Sequence, residues 1–171
     1  MVWVDSSRVI RRLKLAWASC LVLSAQAVLA QAQPPIDCLQ QAADHYRVPA
    51  ALVRAILKTE GGRPGQAVRN TNGSHDLGPM QINTAWLATL QPRGITLAMV
   101  RDDYCVNVAV GTWILAREMQ RIPLHASTGQ VWQAVAGYHS RTPEHNARYA
   151  ALLWRQLKSG QVAAHLNPAL P

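Results

Sequence analysis

Residues 52–83 read LVRAILKTEGGRPGQAVRNTNGSHDLGPMQIN, and the fold is decided there. Leu52, Val53, Ile56 and Leu57 recur at the three- and four-residue spacings of one apolar helix face, while Arg54 and Lys58 mark the solvated side. Glu60 follows Ile56 by four positions and falls on the apolar face. Gly61 and Gly62 come next and signal the helix end. A carboxylate so placed is desolvated by its neighbours and repelled by the negative end of the helix dipole, and both effects raise its pKa. Such a group can hold a proton near neutral pH, as a general acid must. Spacing alone also allows a plainer setting, a frayed terminal Glu in water. Beyond Glu60 the chain is rich in glycine and polar residues. Asn72-Gly73 is a tight-turn signal, and Gly78-Pro79-Met80-Gln81-Ile82-Asn83 leads into a new helix.

This order of parts resembles the soluble lytic transglycosylases of the lysozyme-like superfamily. The matching residues are Glu60 at a helix end, the Asn72-Gly73-Ser74 turn and the Gly-x-Met-Gln-Ile-Asn segment at 78–83. The Glu-Gly-Gly and Gly-Pro-Met-Gln-Ile-Asn wording is most similar to the small enzymes that accompany conjugation, type IV secretion and pilus machines. Ala136-Gly137-Tyr138-His139-Ser140 resembles the family's third motif, where Tyr is followed by Asn or His. Gly61 stands where Ser usually follows the Glu, and Pro79 where Leu is usual. Neither change removes a proton-transfer group. The resemblance covers about residues 36–155.

Residues 1–30 read as an export signal, with Arg8, Arg11, Arg12 and Lys14 ahead of an apolar run from Leu15 to Ala30. That run is shorter than the roughly 20 residues of a membrane span. Cleavage is expected after Ala30, with Ala32 the other small-residue site, leaving no stable span. The residues around Arg11-Arg12 fit a twin-arginine signal poorly. Cys20 precedes most of the apolar run and so does not suit lipidation. Losing the signal lowers the net charge from +8 to a modest +5, spread along the chain. No basic cluster with interleaved aromatics supports nucleic-acid binding, whereas an anionic wall mesh suits a mildly basic exported protein. Residues 31–158 are expected to form one domain and 159–171 a loose tail.

Cys38 and Cys105 survive processing, and an even pair in an exported chain implies a disulfide, in agreement with the family resemblance. The histidines and cysteines show no metal-ligand spacing, and no cofactor is expected. The rest reads as helix: Asp37 to Arg47, Pro49 to Glu60, a short one capped by Asn83 or Thr84, a brief one capped by Thr96, Asp103 to Arg121, Ser127 to His139, and a last one from Thr142-Pro143. The 103–121 helix is apolar over most of its circumference and is expected to be buried centrally, with Trp113 in the core. Tyr149, Leu152, Leu153 and Leu157 supply the inner face of the last helix; Arg141, Arg148 and Arg155 form a solvated ridge. The fold class is mainly α, a single lysozyme-like helical domain with a turn-rich segment and possible short β structure after the Glu60 helix.

The resemblance implies substrate-assisted cleavage of peptidoglycan glycan strands, with Glu60 as acid and then base and no second carboxylate required. It implies that Gln81 and the backbone of Gly78 to Met80 shape the sugar site, with Asn72 in the adjoining turn. Tyr138 would hydrogen-bond near the acid, with His139 beside it; packing with its hydroxyl in water is the plainer setting for Tyr138. Asp76 is either a turn residue bonding its own backbone or a second carboxylate, as in hydrolytic lysozymes. A wall-binding adaptor without activity is the alternative of a different class. A periplasmic monomer is expected, partnered by glycan strands and by components of a secretion, conjugation or pilus complex.

Overall fold

Two short helices, the first joined by a disulfide to a long apolar helix, build the frame around the Glu60 segment. The structure is a computed structural model and describes residues 37–166, with side chains described through 159. The signal expected over 1–30 lies outside the described residues. Helix α1 (Cys38–Tyr46) begins where the Asp37 carboxylate accepts the Gln40 N–H at 3.1 Å. Helix α2 (Ala50–Glu60) follows Pro49 at its N-cap and buries Leu52, Val53, Ala55 and Ile56. Its last turn closes on Gly61, whose N–H makes the final helical bond to the Leu57 carbonyl and whose φ of 63° turns the chain out of the helix. A left-handed cap favours glycine over any residue with a Cβ, which gives Gly61 a structural reason to stand where the family usually has serine.

The turn-rich segment forms a three-stranded antiparallel sheet in the order β1 (Ala67–Arg69), β2 (His75–Leu77), β3 (Ile82–Asn83). Asp76, in the middle strand, pairs with Val68 on one side and Asn83 on the other. After a 3-10 turn at Thr84–Trp86 come α3 (Leu87–Leu90), a second 3-10 turn, and α4 (Leu97–Asp102) capped by Thr96.

Helix α5 (Tyr104–Met119) packs against α1, α4 and α6 (Thr128–Ala136), and Val108, Val110, Ile114 and Leu115 are buried along it. Trp113 is only partly buried and meets Trp86 edge to face at 5.5 Å between ring centroids. Cys38 and Cys105 form the disulfide, with Cα atoms 5.2 Å apart, tying the starts of α1 and α5. Closing a loop of this length contributes about 4 kcal/mol on a chain-entropy argument.

The last helix, α7 (Pro143–Leu166), packs against α2 and α6. It continues past Lys158, where a loose tail is expected from the sequence, as far as Leu166. Residues 167–171 lie outside the described residues. Helix α6 ends sooner than expected, at Ala136. The N–H groups of Gly137, Tyr138 and His139 bond the carbonyls of Ala134, Val135 and Ala136, each three residues back, so the last turn tightens.

Candidate active site

Glu60 is the last residue of α2, and the packing of α7 against α2 places Tyr149 over it. The Tyr149 hydroxyl donates to Glu60 Oε1 at 2.5 Å. Burial desolvates the carboxylate and raises its pKa from 4.5 to about 7; the Tyr149 bond pulls downward and the negative charge of Asp76 pushes further up. The Tyr149 hydroxyl is itself raised by burial and by the adjacent Glu60, so it stays a donor.

Glu60 opens into a cleft of about 360 Å³, lined also by Asp76, Gln81, Asn83, Trp86, Tyr138 and His139. The tightened turn after α6 brings both Tyr138 and His139 to this wall, where a continuous helix would have set one of them at the edge. Tyr138 donates its hydroxyl to the Met80 carbonyl at 2.8 Å and does not bond Glu60. Burial, with Glu60 and Asp76 nearby, holds that hydroxyl protonated. His139 stacks on Tyr149 with ring centroids 4.7 Å apart; burial and the neighbouring His145 depress its pKa, which favours the neutral imidazole.

The 78–83 segment is fixed from below. Asn107, fully buried on α5, accepts the Met80 N–H at 2.8 Å and donates to the carbonyls of Leu77 (2.9 Å) and Val100 (2.7 Å). Gly78 has φ of 64°, and a Cβ there would run into the Asn107 amide. Gln81 adopts φ of 49° and returns its amide to the Gly78 carbonyl at 2.7 Å. A non-glycine residue in the left-handed region is strained by ~1–3 kcal/mol, and such strain clusters at functional sites. Gly62 lies so close that a Cβ would overlap the Gly78 carbonyl oxygen and the Gln81 amide. Replacing Asn107 with Leu removes the partner of the buried Met80 N–H and one donor from each of the Leu77 and Val100 carbonyls. Urea unfolding is expected to show a loss of about 3 kcal/mol, and unchanged stability would contradict this role.

Asp76 does not bond its own backbone in a turn: its Oδ1 accepts from Asn83 Nδ2 at 2.8 Å. Asn83 also donates to Ser74 Oγ at 2.9 Å, and Ser74 donates to Asn72 Oδ1. Asn72 therefore closes an Asx turn at the hairpin tip, exposed and outside the cleft lining, and connects to it only through this chain. The Met80 side chain is fully buried over Gly111, so its carbonyl faces the site's framework while its thioether belongs to the core.

Tyr149, Asn83, Trp86 and Asn107 were not singled out as site residues from sequence. The available signals were a tyrosine on an otherwise apolar helix face and an asparagine within an apolar helix, since buried polar groups need partners.

A mainly helical domain with a small antiparallel sheet, and a desolvated Glu at a helix end facing that sheet, defines a lysozyme-like glycan-cleaving enzyme. The transglycosylase SLT domain matches residues 37–149, and the chain belongs to that family of peptidoglycan-acting lytic transglycosylases. The Invasion protein IagB of Salmonella typhimurium is 34% identical over 142 residues, covering 78% of this chain and 84% of the relative. Protein IpgF of Shigella flexneri is 30% identical over 125 residues, covering 70% and 78%. Among the described residues no helix is long and apolar enough to cross a membrane.

Proposed function

We propose that the chain cleaves the β-1,4 bond between N-acetylmuramic acid and N-acetylglucosamine and leaves 1,6-anhydro-muramic ends. Glu60 delivers its proton to the glycosidic oxygen as the C1–O bond breaks, and the substrate's acetamido oxygen stabilises the cationic C1. The muramic 6-hydroxyl then attacks C1 and returns its proton to Glu60, so the acid is regenerated and no water is consumed. The observation that carries this reading is the carboxyl with a pKa of about 7, in a sugar-sized cleft, held at one oxygen by Tyr149. Tyr149 on Oε1 leaves Oε2 to carry the moving proton.

In this reading Gln81, Asp76, Tyr138 and His139 bind sugar, and Gly78 contributes through its carbonyl, which holds the Gln81 amide in place. Met80 contributes through its backbone, and Trp86 offers a ring face for a pyranose. Asn72 acts at one remove, by bracing Ser74 and Asn83. Asp76 supports a second reading, hydrolysis: a held carboxylate whose charge reaches Glu60 could steady a water or the cation. Digesting purified wall and separating the muropeptides distinguishes them. Anhydro ends are expected; reducing ends would transfer the reaction to Glu60 with Asp76.

The export-signal pattern read in the sequence of residues 1–30 and a disulfide, which forms in oxidising compartments, support action in the periplasm. The Gly-Pro-Met-Gln-Ile-Asn wording, and a relative named an invasion protein, support local opening of the wall for a secretion, conjugation or pilus apparatus.

A further inference from the structure

Glu118, the penultimate residue of α5, is a carboxylate only 4% exposed, and the glycan reaction gives it no part. It lies outside the cleft lining, behind the turn that carries Tyr138 and His139. A buried carboxylate is costly unless charges and donors meet it. Arg141 donates Nε to Glu118 Oε2 at 3.1 Å and Nη2 to Oε1 at 2.5 Å, a two-pronged contact. Arg121 Nε stands 3.4 Å from Oε2. The carboxylate also decides what fits at position 137: a Cβ on Gly137 would come within 2.8 Å of Oε2. Gly137 has φ of −58°, which any residue adopts, so the space above Glu118 is what calls for glycine.

The chain thus enters the turn resting on Glu118 at Gly137 and leaves it tied to the same carboxylate at Arg141. Asn146, buried on α7, adds a lateral brace by donating to the carbonyls of Gln133 (2.9 Å) and Ser140 (2.8 Å). Between these anchors sit Tyr138, bonded to the Met80 carbonyl, and His139, stacked on Tyr149. Consecutive residues of an α-helix point roughly 100° apart, so a hold from outside the helix is needed to keep both on one wall. His139 borders the cleft and also a groove beside Tyr149, which makes its ring a partition between two openings that reach Glu60. We propose that Glu118 is a positioning residue of the active site: with Arg141 it clamps residues 137–141 so that Tyr138 and His139 face the cleft and His139 screens the acid. What those two side chains do there rests on the wall-cleavage reading; the clamp is what holds them.

The test reads the position of His139 without substrate. Its ring lies over Tyr149 with centroids 4.7 Å and planes 8° apart, so its carbon-bound protons are shielded by the tyrosine ring current. In ¹H–¹³C spectra at about pH 8, where an imidazole is neutral, wild type is expected to show a histidine signal shifted upfield, with His139→Gln assigning it. Glu118→Gln, Arg141→Gln and Gly137→Ala are each expected to return that signal toward the free-histidine position. Arg141→Lys keeps the charge without the fork and is expected to return it part of the way. The three full variants are also expected to lower kcat/KM on purified wall about 10- to 100-fold. Their descending pH limb is expected to move down from about 7 toward 4.5, because the opened turn lets water reach Glu60. Loss of the Tyr149 bond would move that limb the other way. If Glu118→Gln melts too early to assay, the Arg141 variants, at a side chain 61% exposed, carry the test. A wild type without the shielded signal, or folded variants that leave the signal and the limb in place, overturn the proposal. A wild type that shows the signal, loses it in the variants and lyses no wall supports the clamp and overturns the cleavage reading.

Discussion

Glu60→Gln is expected to lower wall-lysing activity by on the order of 10³-fold, the scale of a lost general acid. The amide keeps the shape of the side chain and its carbonyl still accepts the Tyr149 hydroxyl, so folding is retained. Activity assays and circular dichroism on the same preparation check both statements. The substitution also carries a sign in stability. Burial raises the folded-state pKa from 4.5 to about 7, so ionising Glu60 costs the folded state free energy. Stability from this group is fully present below pH 4.5 and is lost as pH rises through about 7. Glu60→Gln removes that dependence. Its stability relative to wild type is expected to improve by about 3 kcal/mol between pH 4.5 and pH 8, at 1.4 kcal/mol per pKa unit. Denaturant melts at the two pH values measure the difference. A variant equally stable relative to wild type at both would mean that the carboxylate is not desolvated.

The pH–rate profile is the second large effect. Activity is expected to fall above about pH 7, where Glu60 gives up its proton. Tyr149→Phe removes the bond that lowers this pKa, so the descending limb is expected to move to higher pH. The rate at the optimum is expected to fall about 10- to 100-fold, because the carboxyl loses the contact that orients it. A packing residue alone would change the amplitude and leave the limb in place. An unmoved limb would reduce Tyr149 to packing.

Local chemistry was legible from the chain. The spacing of Leu52, Ile56 and Glu60 with the glycines behind them set helix α2, its end and the setting of the acid. The cysteine pair pointed to the disulfide, and the apolar run from Val106 to Leu115 pointed to the central helix. What escaped the sequence is what tertiary packing decides. Tyr149 meets Glu60 across 89 positions, because α7 crosses α2, and periodicity along α7 alone describes only an apolar face. Asn107 sits in an apolar helix, and only the fold reveals that three backbone groups of other segments converge on it. The turn chemistry of Asn72 is local by contrast: satisfying Ser74 leaves it at the hairpin tip. Tyr138 reached the cleft by a turn that tightened at Gly137, a departure that helical periodicity does not anticipate.

Selective ¹³C labelling of glutamate side chains and an NMR titration follow the Glu60 carboxyl directly, with Glu60→Gln assigning its signal. A midpoint near pH 7, moving upward in Tyr149→Phe, is the predicted result. A midpoint in the ordinary range near 4.5 would contradict an acid held protonated beside the bound glycan.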